Sequence, residues 1–88
     1  MSEETPTPKL RVYLKPGCPW CVDAVAWLKR EGYDFDAIDV IADDAAFEEM
    51  YRISGQTKAP TMTYGDLLLA DFGVPELEEF LEEHEIHP

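Results

Sequence analysis

Two stretches of this chain alternate apolar with polar residues, and three carry the three-to-four-residue rhythm of a helix. Leu10-Arg11-Val12-Tyr13-Leu14 alternates and is rich in strand formers, so it predicts a short strand that Lys15-Pro16-Gly17 stops. Helical spacing follows, with Val22, Val25, Ala26 and Leu28 expected near one buried face. Lys29 and Arg30 suit the last turn of that helix, where the dipole favours cations, and Gly32 fits the position just past its end. Tyr33 to Val40 predicts a second strand. Asp43 and Asp44 open a second helix in which Phe47, Met50 and Tyr51 repeat at helical spacing, and Ser54-Gly55-Gln56 ends it. Pro60 to Tyr64 is a third strand, Gly65-Asp66 a tight hairpin signal and Leu67-Leu68-Leu69 a fourth strand. Gly73-Val74-Pro75 opens a third helix with a buried stripe of Leu77, Phe80 and Leu81, extended by His84.

The order β-α-β-α-β-β-α predicts an α/β fold. Its first βαβ unit calls for a parallel crossover and its hairpin for an antiparallel pair. Together they make one four-stranded mixed sheet covered by helices. Residues 1–8, with two Pro, two Thr, one Ser and two Glu, read as a flexible N-terminal arm, and 9–88 as the domain. At 88 residues the chain holds one small core, and its ten aromatic residues are enough to build it.

Charge narrows the partners. The formal net charge is −12. A surface so acidic excludes non-specific binding to nucleic acid, which needs a basic patch, and attraction to anionic membranes. No apolar run approaches a membrane span, and the acidic, polar start does not resemble a signal peptide. The expectation is a cytoplasmic, monomeric protein.

The two cysteines supply the chemistry. Cys18-Pro19-Trp20-Cys21 lies between the first strand and the first helix. A thiolate is both nucleophile and leaving group in disulfide exchange. A helix N-terminus favours a thiolate through its unpaired N–H groups and partial positive charge. The spacing puts Cys18 at the helix start and Cys21 one turn inside, where it can attack a mixed disulfide on Cys18. Pro19 suits an early helical position, where a missing N–H costs nothing. The competing reading is a zinc site with His84 and His87, but these lie most of the chain away rather than a dozen or two residues on, so no metal is expected.

The stretch Lys15-Pro16-Gly17-Cys18-Pro19-Trp20-Cys21 resembles the active site of the glutaredoxin family, as does the order of elements over roughly residues 10–84. Gln56-Thr57-Lys58-Ala59-Pro60 stands where that family carries a Q-x-T-V-P stretch. The resemblance implies a thioredoxin-like fold and a thiol–disulfide oxidoreductase that uses glutathione to reduce protein disulfides or glutathione mixed disulfides. It implies that Cys18 attacks and Cys21 resolves, and that Pro60 follows a cis bond facing the dithiol. Lys15 would meet the glycine carboxylate of glutathione and Trp20 would flank the tripeptide. The backbone of Ala59 would pair with its cysteine, and Lys58 would be a second cation at the rim.

There are departures. Ala70-Asp71 replaces the family's Gly-Gly pair, so Asp71 would meet the γ-glutamyl end of glutathione, repelling its carboxylate or holding its amine. Asp23 puts a carboxylate where many members are basic. Phe72…Pro75-Glu76 resembles the glutaredoxin-like redoxins that serve ribonucleotide reductase and are re-reduced by thioredoxin reductase. A glutathione-ligated iron–sulfur cluster is a further alternative, against which Pro19 argues within the family.

Overall fold

The computed structural model describes residues 9–88, so the arm expected over residues 1–8 lies outside the described residues. The elements are β1 (Leu10–Leu14), α1 (Pro19–Arg30), β2 (Phe35–Asp39), α2 (Asp44–Ser54), β3 (Thr61–Tyr64), β4 (Leu67–Ala70) and α3 (Val74–Glu83). They make one sheet in the order β2-β1-β3-β4. β1 runs parallel to β2 and antiparallel to β3, and β3 pairs antiparallel with β4 across the two-residue turn Gly65-Asp66. This is the mixed four-stranded sheet that the pattern of residues predicts.

Local chemistry explains the boundaries. Gly32, at φ +83°, lets the end of α1 close with Gly32 N–H donating to Lys29 O at 3.2 Å and Tyr33 N–H to Leu28 O at 2.9 Å. The carboxylate of Asp43 caps α2, accepting from the N–H groups of Ala45 at 3.1 Å and Ala46 at 3.3 Å. At the start of α3, Glu76 Oε1 accepts from Gly73 N–H at 2.9 Å, the backward half of a capping box.

The sheet divides the interior in two. Leu10 and Val12 of β1 face α1 and α3, and cluster with Leu28, Met62, Leu77 and Phe80. Tyr13, on the other face, packs with Val40, Ala46 and Met50 under α2. Leu28, Met50, Met62 and Leu77 are fully buried, each worth about 1.5–3 kcal/mol of transfer free energy. The larger cluster therefore anchors α1 and α3, the two helices whose N-termini meet at the cavity described below.

Four expectations need correction. The buried face of α1 is Cys21, Ala24 and Leu28; of the residues expected there, Val22 is 60% exposed, Ala26 is exposed and Val25 half-buried. β2 is shorter than Tyr33–Val40, because Tyr33 belongs to the helix end and its hydroxyl donates to Ile86 O at 3.1 Å. Tyr51 is exposed, and Ala46 takes its place in the buried stripe of α2. His84 is exposed as well: it forms the C-cap of α3, and its ring only leans on Phe80, at 4.6 Å between centroids.

Candidate active site

Lys15-Pro16-Gly17-Cys18 forms a β-turn closed by Cys18 N–H donating to Lys15 O at 3.3 Å, with Gly17 at φ +80°. That positive φ is what the third position of a type II turn requires, and Pro suits the second. The turn hands the chain to α1 with Cys18 at the N-cap and Pro19 at the first helical position. Cys18 has extended dihedrals and its C=O already accepts from Val22 N–H at 3.0 Å. No side chain caps the helix. A sulfur thus stands where an N-cap oxygen would sit, next to the first-turn N–H groups that stabilise negative charge.

The two thiols are free and have opposite surroundings. Cys18 is half-buried and lines an open cavity of about 910 Å³. Cys21, one turn on, is 3% exposed. Burial pushes the Cys21 thiol up to about 11, and the adjacent Cys18 adds to the rise, while Lys15 pulls it down. Cys21 is accordingly a protonated, sheltered thiol at neutral pH, and it also touches the floor of a second, shallower groove lined by Leu14, Gly17 and Val22.

The far wall of the cavity comes from the loop that leads into β3, the loop that leaves β4 and the start of α3. The Ala59–Pro60 bond is cis, the isomer that the resemblance implied. Ala59 O lies 3.9 Å from Cys18 Sγ, and Pro60 is buried behind it. A network holds this loop. Gln56 Nε2 donates to Lys58 O and to Thr61 Oγ1, both at 3.1 Å, and Gln56 Oε1 accepts from Lys58 N–H at 2.8 Å. The fully buried Thr61 hydroxyl donates to Lys58 O at 2.8 Å. Asp71, at φ +55°, extends the β3–β4 ladder by donating its N–H to Pro60 O at 2.9 Å. Its carboxylate then meets Lys58, with Asp71 Oδ2 at 4.0 Å from Lys58 Nζ.

Of the residues singled out from the sequence, Lys15, Cys18, Trp20, Lys58, Ala59 and Asp71 line this one cavity. Cys21 and Pro60 are buried and outside this lining. Trp20 is 62% exposed. Lys15 Nζ sits 5.8 Å from the ring centroid of Phe47 in α2, so an aromatic from the opposite face of the sheet fixes that ammonium. Sequence reasoning did not assign Phe47, Gly73 or Glu76 to the site. The signal for Gly73 and Glu76 was their place at the start of α3; Phe47 had none beyond its helical spacing. His84 and His87 lie outside the lining, and among the described residues no group of three His, Cys, Asp or Glu side chains gathers around one point. No helix among the described residues is long and apolar enough to cross a membrane.

In sequence and fold the chain is similar to known proteins. The glutaredoxin family model matches residues 10–69. A glutaredoxin-like 8.6 kDa protein in the rubredoxin operon of Clostridium pasteurianum is 29% identical over 73 residues, covering 83% of this chain and 97% of that one. The glutaredoxin of Archaeoglobus fulgidus is 26% identical and superposes with a TM-score of 0.74 over 84% of this chain and 86% of its own. The glutaredoxin of Brucella melitensis is 32% identical, with a TM-score of 0.64 over 89% and 82% of the two chains.

Proposed function

The chain belongs to the glutaredoxin family, and on that footing we propose that it reduces protein disulfides and glutathione mixed disulfides through the Cys18–Cys21 dithiol, with glutathione as reductant. One observation carries this reading: an open thiol at an uncapped helix start, with a second thiol buried one turn behind it.

The steps balance on the two cysteines. Cys18 Sγ, as thiolate, attacks one sulfur of the substrate disulfide; a Cys18–substrate bond forms, the substrate bond breaks and one substrate thiolate leaves. Cys21 gives up its proton and attacks Cys18 Sγ. The internal disulfide forms and the second substrate thiolate departs. The substrate gains two electrons and takes up the two protons that Cys18 and Cys21 lost. Two glutathione molecules then reduce the internal disulfide and leave as glutathione disulfide.

The surroundings support each role. The backbone of Ala59, which lines the cavity 3.9 Å from the attacking sulfur, suits pairing with the cysteine backbone of a substrate as an added strand. Lys15 in the same cavity suits a carboxylate, and the high pKa of Cys21 keeps it from reacting before a mixed disulfide forms. A dithiol kept in this cycle needs a reducing compartment, and the cytoplasm is the one proposed.

A second reading has thioredoxin reductase as the electron source and ribonucleotide reductase as the acceptor. It is favoured by Asp71, whose carboxylate occupies Lys58 where the resemblance implied a glycine. A coupled assay decides between the two. Turnover of a glutathione mixed disulfide with glutathione, glutathione reductase and NADPH is expected. No turnover there, together with turnover on thioredoxin reductase and NADPH, overturns glutathione dependence.

A further inference from the structure

We propose that Trp20, Asp23 and Glu76 form a cation-recognising subsite beside Cys18, so that the protein prefers disulfides carried on segments with a Lys or Arg next to the reacting cysteine. The inference rests on the dithiol reading above and adds the substrate class.

Each cation of the cavity has a partner on its own side. Lys58 shares its charge with Asp71 at 4.0 Å, and Lys15 is held over the Phe47 ring at 5.8 Å. Two further carboxylates, Asp23 and Glu76, line the same space. Asp23 has no cationic partner among the described residues. Glu76 spends one oxygen on Gly73 N–H, a contact that keeps its charge.

The geometry suits a guanidinium or ammonium group. Trp20 and Asp23 are three residues apart on α1, so they share one face of the helix. Gly73 brings the other wall against Trp20. A point one Cβ length from its backbone is 3.2 Å from Glu76 Oε1 and 3.6 Å from Trp20 Cδ1. A 62%-exposed indole is therefore flanked by a carboxylate on each helix, and an aromatic face with anionic neighbours attracts a cation. Around this subsite the field has the same sign. Residues 59–88 hold Asp66, Asp71 and six glutamates and no Lys or Arg, which gives −8 of the total −12.

Three symmetric peptide disulfides test it, each with Lys, Gln or Glu on both sides of its cysteine. They are mixed at low salt with the reduced protein, and its oxidation is followed by mass. The Lys peptide is expected to react about tenfold faster than the Glu peptide. In the double variant D23N/E76Q that ratio is expected to fall to about twofold or less; Gln at 76 can still accept from Gly73 N–H. D23N alone, a surface change on α1, should show part of the same loss. D66N removes an equal charge at the β3–β4 turn and should leave the ratio as it is. Equal rates for Lys and Glu peptides in the unmodified protein overturn the subsite. So does a ratio that survives D23N/E76Q, or one that D66N lowers as much. If no peptide oxidises the protein, it is the dithiol reading that fails.

Discussion

The two walls of the cavity are made by different means. The wall that carries the nucleophile is local: a seven-residue run holds the turn, the N-cap and both cysteines, and its geometry follows from Pro16, Gly17 and the start of α1. The wall that faces it is assembled from a distance. Gln56, Lys58, Thr61, Asp71 and Glu76 come from a loop, a strand and a helix start, joined by side-chain hydrogen bonds and one ion pair. Reactivity is thus written in backbone geometry, and recognition in side-chain placement. A substitution on the first wall should change whether the reaction occurs; one on the second should change stability, fit and choice of substrate.

The hardest test of that contrast is the nucleophile itself. Cys18→Ser should lower turnover by about a thousandfold or more, since no other exposed thiol is present. Cys21→Ser should instead stop at the first step, leaving a stable Cys18–substrate disulfide visible by mass. A fast second turnover of protein disulfides by Cys21→Ser would mean that the buried thiol does not resolve. Next is the facing wall. Thr61→Val keeps the volume but removes the hydroxyl that joins Gln56 to Lys58 O, and should cost about 1–3 kcal/mol. Thermal unfolding measures this as a fall of about 4–8 °C for each kcal/mol. If the loop is held by packing alone, the transition will not move. Gly17→Ala is smaller. A Cβ there meets nothing within 4 Å, so only the φ of +80° opposes it. About 1–2 kcal/mol is expected from that conformational cost, with the rate following the misplacement of Cys18.

A pH dependence tests the shelter of the buried thiol directly. Cys21 is held at about 11 against an ordinary 9.0. Between those values the unfolded chain has released a proton that the native chain keeps. The contribution of this thiol to stability is therefore intact below about 9 and fades as pH rises through about 11. The reduced protein should lose more stability than Cys21→Ala over that window. Comparing the two cancels the tyrosines, including Tyr13 and Tyr33, whose phenols burial also pushes up. Parallel pH profiles would show that Cys21 is not sheltered.

The same contrast governs what could be read from the chain alone. The order of elements and the nucleophile's wall were legible because they rest on short-range signals: alternation, Gly32 and Gly55 at helix ends, and the pair of cysteines one turn apart. The buried face of α1 was not. Val22, Val25 and Ala26 are as apolar as Ala24, and only the docking of α1 on the sheet chooses Cys21, Ala24 and Leu28. His84 failed for a related reason: the helix ends there, so its periodic position no longer points at a neighbour. Lys58 and Asp71 were singled out one at a time. Their meeting depends on the register that sets Thr61 against Ala70, which no local pattern encodes.

The position of Trp20 has an optical consequence. Its indole is largely in solvent and next but one to the reacting sulfur, whereas Trp27 is stacked on Tyr33 at 5.8 Å, at the other end of α1. Any change of charge or bonding at Cys18 alters the quenching of one indole and spares the other. The chain thus carries its own emission probe and its own internal reference. Replacing Trp27 with Phe would leave a single indole, selectable over the four tyrosines by excitation at the red edge, whose intensity follows the dithiol in real time, without a dye, a coupled enzyme or a label.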